Sequence, residues 1–374
     1  MAKDSLFGTL NKTRATIPGL DGIRGLAVLI VFIFHAEILP HVPGELATTV
    51  FFFLSGFLIT TLFLRERKKT GDLDLGSFYY RRALRILPPL YLVLGIALCL
   101  KMFGHVGTAI VPWKASSNFL QFTNIAIAMT QDGGGFLPGM ILLWSLAVDE
   151  HYYLLYAPFL KRALNKFSPA KIAFGLVTLC VAALAWRMFL VHAQGATMRV
   201  AMATDTRLDS ILWGAILALW CNAAQEPAKA AWLAKPLPVI IGLIMVLLPS
   251  FTGNDNMKVT LGYTMEGIGL MPLFTLAILQ GGKGFLKFLH WPSLLWMSRI
   301  SYSFYLFSWL MLSTVRKFVH GPRVEQVLLA FVLTFCLASV MHLLVERPLM
   351  AMRKKSKATT TESGGTLQPV PLAS

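Results

Sequence analysis

Ionisable side chains set inside long apolar runs are the residues of this chain with the means to do chemistry. Arg24 and His35 stand eleven positions apart in Leu20 to Glu37, LDGIRGLAVLIVFIFHAE. A helix from Arg24 turns through about 1100° and rises about 16 Å by His35, so both side chains fall on nearly the same face. That stripe combines a cation with an imidazole able to accept or donate a proton. A second constellation is Trp144-Ser145-Leu146-Ala147-Val148-Asp149-Glu150-His151-Tyr152-Tyr153, with two adjacent acids and a histidine. Lipid cannot satisfy such groups, so they must face other protein groups or a hydrated cavity. Ser145 and Tyr153 each lie four residues from Asp149, close enough for their hydroxyls to reach its face.

Two further groups concern binding. Arg82 and Arg85 are three apart in Tyr79-Tyr80-Arg81-Arg82-Ala83-Leu84-Arg85. One helix face would carry both guanidinium forks, which suit phosphate oxygens, although an inward-anchoring topology signal also accounts for basic residues here. Asp205-Thr206-Arg207-Leu208-Asp209-Ser210 opens another apolar run and is either an internally paired helix end or a polar acceptor site. Glu266 is a weaker candidate of that kind. Glu346-Arg347-Pro348 reads first as a helix stop.

The elements that position these groups follow from composition. Of 374 residues, 56% are hydrophobic and 14% charged, and the mean hydropathy is +0.63. That excess exceeds what a water-soluble domain of this size carries. Runs near the roughly 20 residues that cross a bilayer fall at 24–40, 46–64, 86–103, 138–160, 171–190, 206–222, 236–251, 260–280, 297–318 and 325–345. The expected fold is an all-α polytopic membrane bundle of about ten transmembrane helices. Asn118 to Thr130 is too short to span comfortably and is read as an outer-leaflet or re-entrant segment.

Charge orients the bundle. With the N-terminus inside, 25 of the 34 Lys and Arg residues lie in cytoplasmic segments and 9 elsewhere, which predicts both termini cytoplasmic in the cell inner membrane. The net charge of +16 therefore meets anionic lipid and sets topology, and nucleic acid is rejected as a partner. Cys99, Cys180, Cys221 and Cys336 form no C-x-x-C pair and read as small core residues, with neither a disulfide framework nor a zinc site indicated. The first apolar helix is expected to be retained, because no small-residue cleavage pattern follows it. The expected layout is a cytoplasmic segment 1–19, a membrane domain 20–350 and a disordered basic, Ser/Thr/Gly/Pro-rich tail 351–374 with no second soluble domain. An ion- or proton-coupled transporter using His35, Glu37, Asp149 and Glu150 as a relay is the alternative reading. The absence of matching broken helices counts against it.

In order and spacing these motifs resemble the acyltransferase-3 family of integral membrane acyltransferases. The resemblance runs from Leu20 to Ala27 through the R-x10-H pair Arg24 and His35, Phe53-Leu54-Ser55-Gly56-Phe57, the R-x-x-R pair Arg82 and Arg85, and Trp144 to Tyr153. It continues through Thr206-Arg207-Leu208-Asp209, Ile300-Ser301-Tyr302-Ser303 with Tyr305-Leu306, and Glu346-Arg347-Pro348. It implies transfer of an acyl group, acetyl, succinyl or similar, from a cytoplasmic acyl-CoA to a hydroxyl of an extracytoplasmic glycan or lipid-linked acceptor, with no tightly bound cofactor and no metal. On that reading Arg82 and Arg85 bind donor phosphates, Arg24 guides the donor arm, and His35 is the general base. Asp149 or Glu150 orients the imidazole, and Ser145, Tyr153, Arg207 and Asp209 contact substrate. Equal helical rises from the cytoplasmic ends put His35 and Asp149 near one depth. Within the Asp149/Glu150 pair the resemblance favours Asp149, which follows Val148 where the family places its acid and should lie within hydrogen-bond reach of His35, directly or through one water. Two positions depart from the family pattern. Asp149 stands where glutamate is usual, and Ser308 stands where many members have histidine.

Overall fold

Apolar runs without water to satisfy their backbone must close their hydrogen bonds internally, and helices do so locally. The computed structural model describes residues 17, 19–39, 42–104 and 109–351 and is helical throughout, with no strand among the described residues. Twelve helices matter here: α1 Leu20–Ala36, α2 Gly44–Thr70, α3 Leu75–Met102, α4 Pro112–Phe119, α5 Thr123–Thr130, α6 Leu143–Lys166, α7 Pro169–Gln194, α8 Thr204–Trp220, α9 Pro236–Phe251, α10 Tyr263–Gln280, α11 Pro292–Phe318 and α12 Arg323–Met341. The expected tail and most of the expected N-terminal segment lie outside the described residues.

Each of the ten expected spans falls largely on a helix. Five helical stretches are long and apolar enough to cross a membrane: Gly44–Thr70, Leu75–Met102, Pro169–Gln194, Asp255–Gln280 and Arg323–Ala351. A sixth is Pro227–Ala234 with Pro236–Phe251 if that pair, bent by 65°, counts as one. The remaining four, α1, α6, α8 and α11, carry most of the candidate groups. Helices α1 and α8 have only 17 residues each, about 25 Å, whereas α6 and α11 are long but more polar. A helix wrapped by protein needs no lipid-compatible surface, and α8 is of this kind, with Thr206, Arg207 and every residue from Asp209 to Leu219 buried. Lipid-compatible surface lies instead on α7, α9 and α12, through residues such as Phe174, Val181, Ile240, Ile244, Leu328 and Val332.

Helix α8 is locked to α2 by two glycines. A Cβ on Gly56 would lie 2.0 Å from the Ile211 carbonyl oxygen, and one on Gly214 would lie 2.0 Å from that of Phe53. The backbones approach as only small residues permit. The stretch from Asn118 to Thr130 does not span: α4 and α5 have eight residues each, about 12 Å, and Gln121 at φ 59° breaks the chain between them. Two expectations need correction. Glu346-Arg347-Pro348 does not stop the helix, because a π-helical turn over His342–Glu346 passes the chain on as helix to Ala351. Of the cysteines, Cys180 and Cys221 are buried, but Cys99 and Cys336 are exposed.

Candidate active site

The R-x-x-R motif lies on α3, and its first member is already engaged. Arg82 Nε donates to both oxygens of Glu150 at 3.1 Å, and Nη2 donates to Oε1 at 2.7 Å. Its guanidinium lies 3.4 Å from the centre of the Tyr153 ring, a cation–π contact that orients the plane of the fork. One helical turn of α6 thus presents both the carboxylate that fills the arginine and the ring that flattens it. Arg85 lies one turn further along α3. Tyr302 of α11 donates to the Ile86 carbonyl at 2.9 Å and ties a third helix to this corner.

Asp149, beside Glu150, points elsewhere. Its Oδ2 accepts from Ser55 Oγ of α2 at 3.1 Å, and its buried Oδ1 has no hydrogen-bond partner. No direct hydrogen bond joins it to His35. The charges acting on Asp149 are those of Arg82 and Glu150, whereas those acting on His35 are Glu37 and Arg316. His35 is next to the last residue of α1, with its ring edge-on to Trp309 of α11 at 4.8 Å, and its buried Nδ1 has no partner. Between the two groups stands α11, one turn from Trp309. Tyr305 shares a hydrogen bond with Ser145 Oγ at 2.8 Å and donates to the Leu142 carbonyl at 2.7 Å. Ser145 therefore serves Tyr305 and the Leu142 carbonyl rather than Asp149.

Cations hold the C-terminal end of α1. Arg316 Nη2 donates to the carbonyls of His35 at 3.1 Å and Ala36 at 2.9 Å, and Arg323 pairs with Glu37 at 2.5 Å. These are the carbonyls a helix end leaves unsatisfied, and positive charge is favoured there. Glu37 is thus drawn to arginine and not to the imidazole. Arg24, at the other end, reaches Asp21 at 3.4 Å.

The Thr206 to Asp209 motif divides in two. Asp209 receives Arg187 of α7 through paired contacts of 2.6 and 2.7 Å, with a third from Thr264 at 2.9 Å, and both charged side chains are fully buried. Arg207 faces α2 and α10, stacked at 3.6 Å on Tyr263 and donating to Thr49 at 3.1 Å. Asp205 is the internally paired helix end, held by Arg199 and by Trp186 Nε1. His151 bonds to Thr204 at 2.8 Å, and Ser308 donates to the Tyr305 carbonyl within its own helix. Glu346 is buried, taking Ser303 at 2.5 Å and His342 at 2.8 Å.

Sequence reasoning passed over Arg187, Ser55, Tyr305 and Trp309. Arg187 had a usable signal, since an arginine in the apolar run 171–190 requires a buried counter-charge. Ser55 and Tyr305 stood in the motifs Phe53-Leu54-Ser55-Gly56-Phe57 and Tyr305-Leu306 but were given no partner there, and Trp309 carried no signal. The region as a whole holds a guanidinium paired with a carboxylate at Arg82 and Glu150, an imidazole nitrogen without a partner near the end of α1, and the hydroxyls of Ser145 and Tyr305. An imidazole with a bare nitrogen can take a proton from a hydroxyl.

Comparison with known proteins gives the family. A protein named "Putative O-acetyltransferase SACOL0978" from Staphylococcus aureus (strain COL) is 30% identical over 374 residues, covering 93% of this chain and 59% of that protein. O-acetyltransferase OatA of S. aureus (strain NCTC 8325 / PS 47) is 28% identical over 359 residues, covering 91% of this chain and 57% of its own length. The chain thus spans somewhat over half the length of these relatives. No solved structure matches it. The profile of the acyltransferase domain matches residues 17–343, nearly the whole described region. The chain belongs to the acyltransferase-3 family.

Proposed function

We propose that this chain is a membrane O-acyltransferase of the cell inner membrane that takes an acyl group from cytoplasmic acyl-CoA and gives it to a hydroxyl of an extracytoplasmic glycan or lipid-linked acceptor. The family match over residues 17–343 carries the reading, and the names of the relatives favour acetyl as the group moved. All ten helical segments cross the bilayer in this proposal, α8 sheltered inside, and both termini are cytoplasmic. No tightly bound cofactor or metal takes part.

The chemistry follows from elementary requirements. An alcohol is a poor nucleophile until a base takes its proton, so His35 accepts the acceptor's proton at a ring nitrogen as the alcohol oxygen attacks the thioester carbonyl. The new C–O bond forms, the C–S bond breaks, and the leaving thiolate takes up the proton from the imidazolium. The bare Nδ1 of His35 supports this role, because a base must have a nitrogen available. No carboxylate orients the ring here, and packing on Trp309 does so instead. Arg82 and Arg85 bind donor phosphates and Arg24 guides the donor arm. Asp149 and Glu150 balance the charge around Arg82, while Ser145, Tyr153, Arg207 and Asp209 line or support the route to the acceptor.

The test is incubation of purified protein with acetyl-CoA labelled in the acetyl group. Label transfer or thioester hydrolysis should be present and should be lost in a folded His35→Ala variant. Activity unchanged in that variant overturns the assignment of His35, and no consumption of acyl-CoA by the wild type overturns the reaction.

A further inference from the structure

Helices α2, α8 and α10 begin at the same end of the bundle, and a cluster of charged groups lies just below their first turns. Thr49 Oγ1 donates to Glu266 Oε2 at 2.6 Å and accepts from Arg207 Nη2 at 3.1 Å, so one hydroxyl bridges an arginine and a glutamate that form no ion pair. Arg207 is 1% exposed and Glu266 0%. Five of the twelve buried side-chain atoms without a hydrogen-bond partner among the described residues belong here: Arg207 Nε and Nη1, Ser210 Oγ, Trp213 Nε1 and Glu266 Oε1. Ser210 and Trp213 follow Arg207 at three-residue steps along α8, and the Trp213 ring lies against Gly267, where a Cβ would come within 2.3 Å of it. Each orphaned buried group costs about 1–3 kcal/mol. That many in one place point to an occupant that supplies the missing bonds.

The charges define the occupant. An anion would meet Glu266 and a cation would meet Arg207, and the guanidinium face is already covered by Tyr263 at 3.6 Å. The unpartnered atoms include donors on arginine and indole, an acceptor on the carboxylate, and a serine hydroxyl that does either. A neutral group that both donates and accepts fits all of them, and a hydroxyl is the smallest such group on an acceptor of acyl transfer.

A weak, partly exposed pair covers the cluster. Above the cluster, Tyr263 donates to Glu45 at 3.0 Å, and Glu45 pairs with Lys258 at 3.1 Å, the last two with side chains 38% and 28% exposed. A partly exposed pair of this kind contributes little, about 0–1 kcal/mol. Lys258 opens a π-helical turn, Lys258–Gly262, at the head of α10, a local irregularity of the kind often found at functional sites.

We infer that Arg207, Thr49, Ser210, Trp213 and Glu266 form a subsite for the hydroxyls of a neutral, sugar-like acceptor, entered from the outer face past the Glu45–Lys258 bridge. This rests on the acyltransferase reading for the acceptor's presence and on the orphaned groups for its location. Asp209 is not part of the subsite, because Arg187 and Thr264 occupy it.

Accessibility tests the location without relying on the reaction. Ser210→Cys is treated in spheroplasts with a membrane-impermeant thiosulfonate, and the parent with its native cysteines serves as the blank. Labelling above the blank is expected. It should run several-fold faster with Glu45→Gln added, and slower in methyl β-glucoside but not in glucose 6-phosphate. Thr49→Cys repeats the measurement if Ser210→Cys does not fold. No labelling above the blank with or without Glu45→Gln, or labelling indifferent to the neutral glycoside, overturns the subsite and leaves a sealed or water-filled cluster. In the transfer assay, Glu266→Gln should raise the acceptor KM about tenfold, the loss of one hydrogen bond to a charged group, while the KM for acetyl-CoA stays within about twofold. Raised donor KM with unchanged acceptor KM also overturns it. A wild type that transfers nothing refutes the acyltransferase reading, and the labelling result still decides the subsite.

Discussion

Glu150 occupies the groups on Arg82 that a donor phosphate would need, so Glu150→Gln should tighten coenzyme A binding. The carboxylate takes the side-on fork of the guanidinium through three contacts of 2.7 to 3.1 Å. The side chains are 17% and 27% exposed, between a surface pair worth about 0–1 kcal/mol and a buried one whose breaking costs about 3–5 kcal/mol. A phosphate displacing Glu150 therefore gives back roughly 2 kcal/mol before it gains anything. Glutamine keeps the shape but offers a neutral acceptor, and neutral hydrogen bonds are about half as strong as charge-assisted ones. The penalty falls by roughly 1–1.5 kcal/mol, about a tenfold gain in affinity. Isothermal titration of the detergent-solubilised protein with coenzyme A would measure it. Arg82→Lys is the control, since a point charge without the planar fork should bind several-fold more weakly than the wild type. Weaker or unchanged binding in folded Glu150→Gln would refute the competition and make Glu150 the residue that holds Arg82 ready for phosphate.

Four other outcomes are expected. Arg187→Met should lower the stability of the bundle by about 3–5 kcal/mol by leaving Asp209 buried and unpaired, and Arg187→Met with Asp209→Leu should recover much of the loss in a thermal-melt assay; a single variant as stable as the wild type would return Asp209 to the substrate site. Ser308→Ala should keep most acyl transfer while His35→Ala loses it, because Ser308 only bonds back to the Tyr305 carbonyl; equal losses would give the serine a role in the reaction. Reporter fusions after Lys69 and after Lys166 should both read cytoplasmic, and an extracytoplasmic second fusion would reverse the map beyond α4. A hydrogen bond from Lys161 holds the exposed Asp72 carboxyl below its ordinary value of 3.8, so its contribution is present above about pH 4 and lost as pH falls through the depressed value. Melts compared between pH 7 and pH 3 should show a smaller acid loss for Lys161→Gln than for the wild type, and an equal loss would remove Asp72 from that dependence.

Much of the fold was legible because apolar length is local information. The run 46–64 is α2 and the run 171–190 is α7 with only the ends displaced. That Asn118 to Thr130 is short for a span was legible for the same reason, whereas the break at Gln121 was not. Helical phase also showed that Arg82 and Arg85 share a face. It could not name partners across helices. Asp149 meets Ser55, whose motif gave no hint of that partner, and Asp209 meets Arg187 instead of Arg207, nearer in sequence. Pairing of that kind depends on which helices touch, which the close glycine crossing of α2 on α8 helps to decide.

Depth was the least secure inference, and the reason is physical. Equal rises from the cytoplasmic ends put His35 and Asp149 on one level only if their helices share a zero point, yet α1 has 17 residues and α6 has 24. Measured from the opposite ends, His35 is one residue from the close of α1, whereas Asp149 is six residues, about 9 Å, past the start of α6. Ser55, its partner, is eleven residues, about 16 Å, past the start of α2. The acid and the imidazole thus belong to different layers, with Tyr305 and Trp309 of α11 between them. For the proposed reaction this separation is a requirement rather than a defect. A donor whose phosphates are held at Arg82 carries its thioester at the far end of a long arm, so the base that serves the acceptor must lie a layer further out. Shortening that path by bringing an acid to His35 would add no catalytic group that the chemistry needs. It would instead place a second negative charge where the leaving thiolate forms.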